Sequence, residues 1–191
     1  MNNSRFVQHL TQLQYSNEQI HKICAIFTEE VVLNRNDLFL KEGTISKQLG
    51  FVLEGMIRYY YITEDGNEVT RWVLLQNEFI TSFSSFITQT KALENIQAIK
   101  PTHILYTTKD RWIKLYNEEP FVRDFWTRSI EYYLIGMEAR VYSLIALNAK
   151  SRYEQLLKDY PLLVSEVPNK YLASILGIES RHLSRLRATT K

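Results

Sequence analysis

Four hydrogen-bonding side chains near the C-terminus recur at helical spacing, and their types suit contact with nucleic acid. They are Ser180, Arg181, Ser184 and Arg185. On a helix, positions i, i+1, i+4 and i+5 point to one side. Arginine can bind guanine bidentately in the major groove, and serine can reach phosphates or base edges. This pattern predicts a helix that reads DNA, and the alternative is a plain helical hairpin with a solvated basic face.

The residues before this helix have the spacing of a helix-turn-helix. Leu172, Ala173 and Leu176 fall three or four apart on one face, after Pro168 at the predicted helix start. Gly177 follows, where a sharp turn requires a left-handed backbone. A small residue and a glycine four later allow two short helices to cross closely. The predicted DNA-contacting set, with the basic and polar neighbours added, is Lys170, Ser180, Arg181, His182, Ser184, Arg185 and Arg187.

The positive charge of the chain is concentrated in this segment. The 191 residues carry a net charge of +2, whereas residues 168–191 alone carry +4 and the remainder about −2. Lys191 contributes to that basic count. Local positive charge favours binding to DNA through counterion release. Because five basic residues form a modest patch, a dimer that doubles it is favoured.

No pattern in the chain predicts a metal site, a cofactor or a catalytic centre. Cys24 is the single cysteine, so an internal disulfide or an iron–sulfur cluster is not expected. The four histidines, at 9, 21, 103 and 182, fall in different segments.

Asn2, Asn3, Ser4 and Arg5 lead into no continuous apolar core, so no signal peptide is predicted. No run of about twenty apolar residues is present, so we expect a protein with no membrane contact, located in the cytoplasm.

The periodicity of the chain changes twice. Residues 1–27 are predicted to be helical, with Ser16 as a helix cap and Gln19 three later. Residues 28–107 contain many short strands with glycine turns, including Asp65-Gly66, which favours a barrel or sandwich. Residues 110–147 are helical again. The expected fold is α+β, with an N-terminal β-barrel, a long helix and a C-terminal helix-turn-helix.

The long helical segment from Phe121 to Leu147 has apolar residues on more than one face. One face can pack on the barrel, and the other needs a partner. A second copy of the same helix would supply it and give a two-fold homodimer. The alternative is a helix buried within a single chain.

This order of parts resembles the catabolite activator/FNR (CRP/FNR) family of transcription regulators. The stretches that carry the resemblance are Leu40 to Thr44, Phe51 to Tyr60, Asp65 to Glu68, Arg152 to Pro161, and Val167 to Arg187. The resemblance implies a double-stranded β-helix (jelly roll) of the cyclic-nucleotide-binding type over residues 1–115, a dimerisation helix over 116–147, and a DNA-binding domain over 148–191. Ser180, Arg181 and Arg185 match its base- and phosphate-contacting positions.

The resemblance also implies partners. They are double-stranded DNA carrying an inverted repeat, a second copy of the chain, and RNA polymerase as a further candidate. The family's longer members continue into a β-wing after the recognition helix. Either the wing is reduced in this chain, or the sequence stops before it.

The family's cassette for a cyclic nucleotide is altered in this chain. The family offers Gly-Glu for the ribose and Arg-Ser or Arg-Thr for the phosphate. Here Thr81-Ser82 and the region of Ala92-Leu93 stand in their places, and no arginine lies between Arg71 and Arg111. A buried anionic phosphate needs such a cation. We therefore expect a subgroup that does not bind cyclic AMP and has an unknown effector. The candidate pocket residues are Phe79, Thr81, Ser82, Phe83, Ser84, Ser85 and Lys91.

Two other functions remain open at this point. A cupin-like barrel enzyme would need histidine and carboxylate ligands for a metal, and no His-x-His spacing is present. A signalling module whose helix-turn-helix docks a protein would show no salt-dependent affinity for DNA. The sequence favours a DNA-binding regulator that is not an enzyme.

Overall fold

The structure, a computed structural model, describes residues 4–189, so Asn2, Asn3 and Lys191 lie outside the described residues. Eight strands and nine helices are present in that range. The strands are β1 (Glu29–Leu33), β2 (Leu38–Leu40), β3 (Gln48–Glu54), β4 (Ile57–Ile62), β5 (Glu68–Leu74), β6 (Phe79–Ile80), β7 (Asn95–Ala98) and β8 (Thr102–Thr108). The helices are α1 (Ser4–Gln12), α2 (Asn17–Ile26), α3 (Phe83–Thr88), α4 (Lys109–Glu118), α5 (Pro120–Ala146), α6 (Ala149–Asp159), α7 (Pro161–Glu166), α8 (Asn169–Leu176) and α9 (Ser180–Thr189).

The strands form two four-stranded sheets, which confirms the predicted α+β fold with a jelly roll before the long helix. One sheet has the order β1-β8-β3-β6, and the other has the order β2-β7-β4-β5. The registered pairs β1–β8, β3–β8, β3–β6 and β4–β7 are antiparallel. Apolar side chains from both sheets are fully buried, among them Ile57, Ile96 and Ile104. This interior is the core of the roll.

Gly50 allows the two sheets to approach each other. A methyl group built on Gly50 would lie 2.7 Å from a methyl carbon of Ile80 and 2.8 Å from one of Ile104. It would also lie 3.3 Å from the ring of Phe39, which comes from the opposite sheet. A side chain here would therefore displace Ile80 and Ile104, on the neighbouring strands of the same sheet, and would press on Phe39 of the other sheet.

The two N-terminal helices cover the roll through a cluster of aromatic rings. Phe6 of α1 lies 4.8 Å from Phe27 and 4.9 Å from Phe51, and Phe51 lies 5.2 Å from Phe79, all between ring centroids. The predicted cap of α2 is confirmed, because Ser16 and Gln19 exchange both hydrogen bonds of a capping box. The helices therefore bury one face of the first sheet.

The chain folds into two compact units, and each unit is built from two separate segments of the sequence. The first comprises residues 1–61 and 74–123, and the second comprises residues 62–73 and 124–191. The hairpin between β4 and β5 thus folds with the C-terminal helices. In the described residues, no helix is long and apolar enough to cross a membrane.

His9 of α1 couples the stability of the first unit to pH. Its imidazole lies 5.0 Å from the ring of Phe51 and 5.9 Å from that of Phe79. Burial lowers the pKa of His9 from its ordinary value. Because the unfolded chain then binds the proton more readily, stability is complete above about pH 6.5 and falls as the pH drops below that value.

We predict that His9→Gln reduces the loss of melting temperature between pH 7.5 and pH 5.5, relative to the unchanged protein. The absolute melting temperature at pH 7.5 will also fall, since two ring contacts are lost. Thermal melts followed by circular dichroism measure both effects. His21→Gln, at an exposed position of α2, is the control and should keep the original pH slope. An unchanged slope in His9→Gln would refute the assignment.

Candidate nucleic-acid interface

Helices α8 and α9 form the predicted helix-turn-helix. The facing sides of the pair are apolar, since Leu172, Ala173, Leu176 and Leu183 are each at most 1% exposed. The small side chain of Ala173 therefore lies at the crossing, as the spacing predicted. The buried leucines on both helices determine which face of each helix is exposed to solvent.

Gly177 makes the turn between the two helices. Its φ is +62°, the left-handed conformation that side chains other than glycine rarely adopt. The N–H of Gly177 donates to Ser174 O, and that of Ile178 donates to Ala173 O, each at 3.0 Å. These bonds satisfy the last carbonyls of α8 and let α9 begin at once, with Ser180 as its first residue.

The outer face of α9, defined as Ser180, Arg181, Ser184 and Arg185, is exposed along its whole length. The side chains of Arg181 and Arg185 make no hydrogen bond or ion pair with any other described residue. The Ser184 hydroxyl donates to Ser180 O at 3.0 Å, within the same helix. Two exposed guanidinium groups therefore lie beside two small hydroxyl groups on one surface.

The other three predicted DNA-contacting residues lie in different surroundings. Arg187 is engaged within the unit: its Nη1 donates to Asn169 Oδ1 at 2.5 Å and its Nη2 to Val164 O at 2.6 Å. Lys170 is exposed, with its ammonium group 4.5 Å from the centroid of the Tyr171 ring. His182 is half-buried. The side chain of Arg187 thus ties the C-terminal end of α9 to α7 and α8.

Arg152 of α6 joins the ends of two other helices, a role that the sequence pattern did not reveal. Its Nε donates to Leu176 O at 2.9 Å, and its Nη1 donates to Leu147 O at 2.6 Å. The first carbonyl ends α8, and the second follows α5. Burial, and secondarily the charge of Arg152, lower the pKa of Arg140 to about 10, so the Arg140 guanidinium stays charged at neutral pH. The helix-turn-helix is therefore anchored at the end of the long helix.

The hairpin between β4 and β5 supplies a second anchor, also without a sequence signal. The Ser174 hydroxyl of α8 accepts from Thr70 N at 2.8 Å and donates to Thr70 O at 3.3 Å. The rings of Trp72 and Tyr160 meet edge to face, with centroids 5.0 Å apart. Ser174 and Thr70 are 104 residues apart in the sequence, so no helical or strand periodicity could have predicted their contact.

The candidate effector residues lie around β6 and α3 in the first unit. Ser46 Oγ lies 3.2 Å from Thr81 Oγ1, and Ser46 N donates to Ser85 Oγ at 2.9 Å. Ser82 is buried, and its hydroxyl has no hydrogen-bond partner among the described residues. A cleft of about 230 Å³ runs beside this group, along residues 39–48.

The remaining candidates divide between the core and the surface. Phe79 belongs to the aromatic cluster under α1 and α2, whereas Phe83 is half-buried. Ser84 and Lys91 are exposed. Sequence reasoning did not single out Arg58, which is 5% exposed and lies on β4. Its Nε and Nη2 donate to Gln97 Oε1 at 2.9 and 2.5 Å, and its guanidinium lies 4.0 Å from the centre of the Tyr60 ring.

No group of three or more histidine, cysteine, aspartate or glutamate side chains that could hold a metal occurs within residues 4–189.

We predict that Arg152→Ala lowers the free energy of unfolding by about 1–3 kcal/mol, because two carbonyl groups lose a charged donor. Urea denaturation followed by circular dichroism measures the change. Lys150→Ala removes an exposed cation from the same helix, one of a pair with Glu154 at 3.8 Å, and should cost much less. Equal losses in the two variants would contradict the anchoring role.

Residues 30–119 match the family model described as the cyclic nucleotide-binding domain. FixK2 from Bradyrhizobium japonicum superposes with a TM-score of 0.72 at 15% identity, covering 84% of this chain and 82% of that one. CLP of Xanthomonas campestris, a c-di-GMP responsive global regulator, gives a TM-score of 0.70 at 14% identity, with 92% and 91% covered. A CooA mutant from Carboxydothermus hydrogenoformans gives a TM-score of 0.69 at 19% identity, with 94% and 82% covered. No curated protein matches the chain.

Of these three neighbours, CLP is a regulator that acts on gene expression. Residues 30–119 thus resemble the cyclic nucleotide-binding domain, and the chain has the fold of the CRP/FNR family regulators, which confirms the predicted resemblance.

Proposed function

We propose that this protein is a transcription regulator that binds an inverted repeat in double-stranded DNA as a homodimer, with α9 in the major groove. The observation that carries the proposal is the outer face of α9. It presents Arg181 and Arg185 to solvent, without partners among the described residues, beside the hydroxyls of Ser180 and Ser184. The opposite side of the same helix is held by the buried Leu183 and Leu186. The guanidinium groups are therefore free to reach base edges while the helix stays fixed.

The hydrogen bonds that hold the helix-turn-helix in place support the same proposal. Reading a base requires that the helix enter the groove in a defined orientation. Arg187 ties the end of α9 to Asn169 and Val164, and Arg152 ties the end of α8 to α5. We assign Arg187 to this support, and Arg181 and Arg185 to contact with DNA. Lys170 and His182 flank the surface and suit phosphate contacts.

A homodimer through α5 is supported by the apolar surface of that helix. Leu134, Ile135, Tyr142 and Ile145 are between 59% and 81% exposed, and Val141 is 50% exposed. Contiguous apolar exposure of this kind marks an interaction surface. Positions 134, 138, 141 and 145 alternate steps of four and three residues, the repeat by which two helices interlock along their length. A second copy of α5 presents the same repeat and would double the basic surface.

The sensor roll, on this proposal, does not take cyclic AMP. No arginine lies between Arg71 and Arg111, and Lys91 is exposed. The buried Arg58 is already bonded to Gln97 and stacked on Tyr60. The buried polar groups near the candidate pocket are hydroxyls, which cannot neutralise a cyclic phosphate. The natural effector would then be a ligand without a strongly anionic group.

We predict that Arg181→Ala costs about 1–3 kcal/mol of DNA affinity and relaxes the sequence preference at one position of each half-site. Binding-site selection with the full chain, followed by fluorescence anisotropy on the selected site, measures both. The half-sites should lie about 34 Å apart, one helical turn. Affinity should also fall steeply with salt concentration.

Lys158→Ala is the matched control for this experiment, since it removes an exposed cation from α6. It should leave both affinity and sequence preference close to the original. If Arg181→Ala weakens all sequences equally, Arg181 contacts phosphate instead of a base. If no DNA is selected at any salt concentration, the proposed function is wrong.

We also predict that isothermal titration with cyclic AMP gives no binding in the micromolar range, because the phosphate finds no free buried cation. A catabolite activator protein titrated under the same conditions is the positive control. Micromolar binding by this chain would refute the proposal for the sensor roll, and would leave the DNA assignment standing.

A further inference from the structure

Arg140 is a half-buried cation on α5 that has no partner among the described residues. Its guanidinium makes no hydrogen bond and no ion pair with any of them. It nevertheless keeps its charge at neutral pH, since burial lowers its pKa only to about 10. A charge that is partly removed from water without a counter-charge destabilises the folded chain. An anion beside Arg140 would remove that cost.

A second guanidinium, that of Arg152, lies on the same side of α5. Its Nη1 donates to Leu147 O at 2.6 Å, and Leu147 follows Arg140 by seven residues. Seven helical steps of 100° end within about 20° of the starting direction and roughly 10 Å further along the axis. The charge of Arg152 also acts on Arg140, since it contributes to the lowered pKa of that group. Two like charges therefore share one side of the C-terminal end of α5.

Neither guanidinium forms an ion pair with a carboxylate in the part of the chain that the structure describes. Arg152 bonds to two carbonyl oxygens, and its Nη2 donates to no described atom. Carbonyl groups at helix ends carry only a partial negative charge. Glu154 lies 3.8 Å from Lys150, and Glu138 precedes Arg140 by two residues, about 160° around the helix. The two arginines therefore keep most of their positive charge.

The two arginines lie next to the turn of the helix-turn-helix. Leu144 is one turn after Arg140 on α5, and one of its methyl carbons lies 3.4 Å from where a side chain on Gly177 would begin. Leu176 O, which accepts from Arg152, immediately precedes that glycine. A ligand bonded to both guanidinium groups would therefore connect α5 to α6 at the point where α8 ends.

We propose that Arg140 and Arg152 form a binding site for a dianionic phosphate group, either inorganic phosphate or the monoester of a small molecule. A phosphate monoester carries about −1.5 to −2 charges at pH 7, which matches two guanidinium groups. Guanidinium groups also bind phosphate oxygens through paired N–H donors. The site lies within the second compact unit, apart from the sensor roll, and its existence does not depend on the proposed DNA binding.

The same charge match excludes the cyclic nucleotide as a good ligand of this site. The phosphate of cyclic AMP is a diester with a single negative charge, so it would neutralise only one of the two guanidinium groups. The site therefore agrees with the absence of micromolar binding of cyclic AMP that we predict for the full chain.

Thermal melts of the full chain at pH 7.5, followed by circular dichroism, test the proposal. The added salts, at equal ionic strength, are sodium chloride, inorganic phosphate, methyl phosphate and dimethyl phosphate. We expect the two dianions, at saturation, to raise the melting temperature by about 2–4 °C over chloride, because they bind only the folded chain. A rise with both dianions means that the site accepts a monoester, and a rise with inorganic phosphate alone means that it holds the free ion. Dimethyl phosphate, a diester with one charge, should act like chloride.

Arg140→Gln removes one of the two cations and should abolish the extra stabilisation by the dianions. In chloride alone, this variant should melt at or above the temperature of the unchanged protein, because a pair of repelling charges is gone. Arg128→Gln, which removes an exposed arginine from the same helix, is the matched control and should keep the full response. General effects of phosphate on protein solvation will be equal in all three proteins.

Three outcomes would overturn the inference. An equal response to the dianions in Arg140→Gln and the unchanged protein would mean that phosphate acts through the solvent or elsewhere on the chain. An Arg140→Gln protein that fails to fold, or melts several degrees lower in chloride, would show that the protein itself neutralises Arg140. Equal stabilisation by dimethyl phosphate would mean that the site does not select a dianion and suits the diester backbone of DNA instead.

The melts require no DNA, so they separate this inference from the proposed function. If no DNA is selected but the response to phosphate disappears in Arg140→Gln, the phosphate site stands and the proposed function falls. If DNA is bound and Arg140→Gln responds to phosphate as the unchanged protein does, the function stands and the site falls.

Discussion

The placement of the helix-turn-helix depends on the guanidinium of Arg152. A helix end leaves carbonyl groups without partners, and a buried end must satisfy them. Arg152 satisfies one carbonyl after α5 and one at the end of α8 with a single planar group. Because both bonds come from one rigid fork, the two helix ends are held at a fixed separation. From the end of α8 that Arg152 holds, Gly177 makes the turn into α9, and the buried leucines set which face of α9 is exposed.

The sensor roll illustrates a different constraint, the cost of burying charge. Its buried polar groups are mostly hydroxyls and amides, and its buried arginine is committed to Gln97 and Tyr60. The folded roll therefore has little free-energy cost without a ligand, because most hydrogen bonds of its buried groups are made within the roll. The hydroxyl of Ser82 is an exception among the described residues. The roll can therefore keep its shape without an anionic ligand in its interior.

Local patterns predicted most of the architecture. The capping box at Ser16, the glycine turn at 177 and the apolar faces of α8 and α9 all depend on residues within one or two turns of each other. The exposed positions on α9 followed from helical spacing in the same way. Other features depend on residues far apart in sequence. No periodicity could show that Arg187 is engaged by Asn169 and Val164, that Arg58 is buried, or that Ser174 bonds to Thr70.

The hairpin that joins β4 to β5 has a consequence for how this protein can be divided. Its tip lies in the sequence of the roll but folds with helices that begin some fifty residues later. β5 is an edge strand, and the Ser174 hydroxyl and the Tyr160 ring cover part of it. A fragment cut after the roll would leave Trp72 and the open backbone of that edge uncovered, the kind of strand that recruits neighbours into aggregates. The complementary C-terminal fragment would lack part of its own packing. The boundary between the two compact units is therefore not a place where the gene can be cleanly divided.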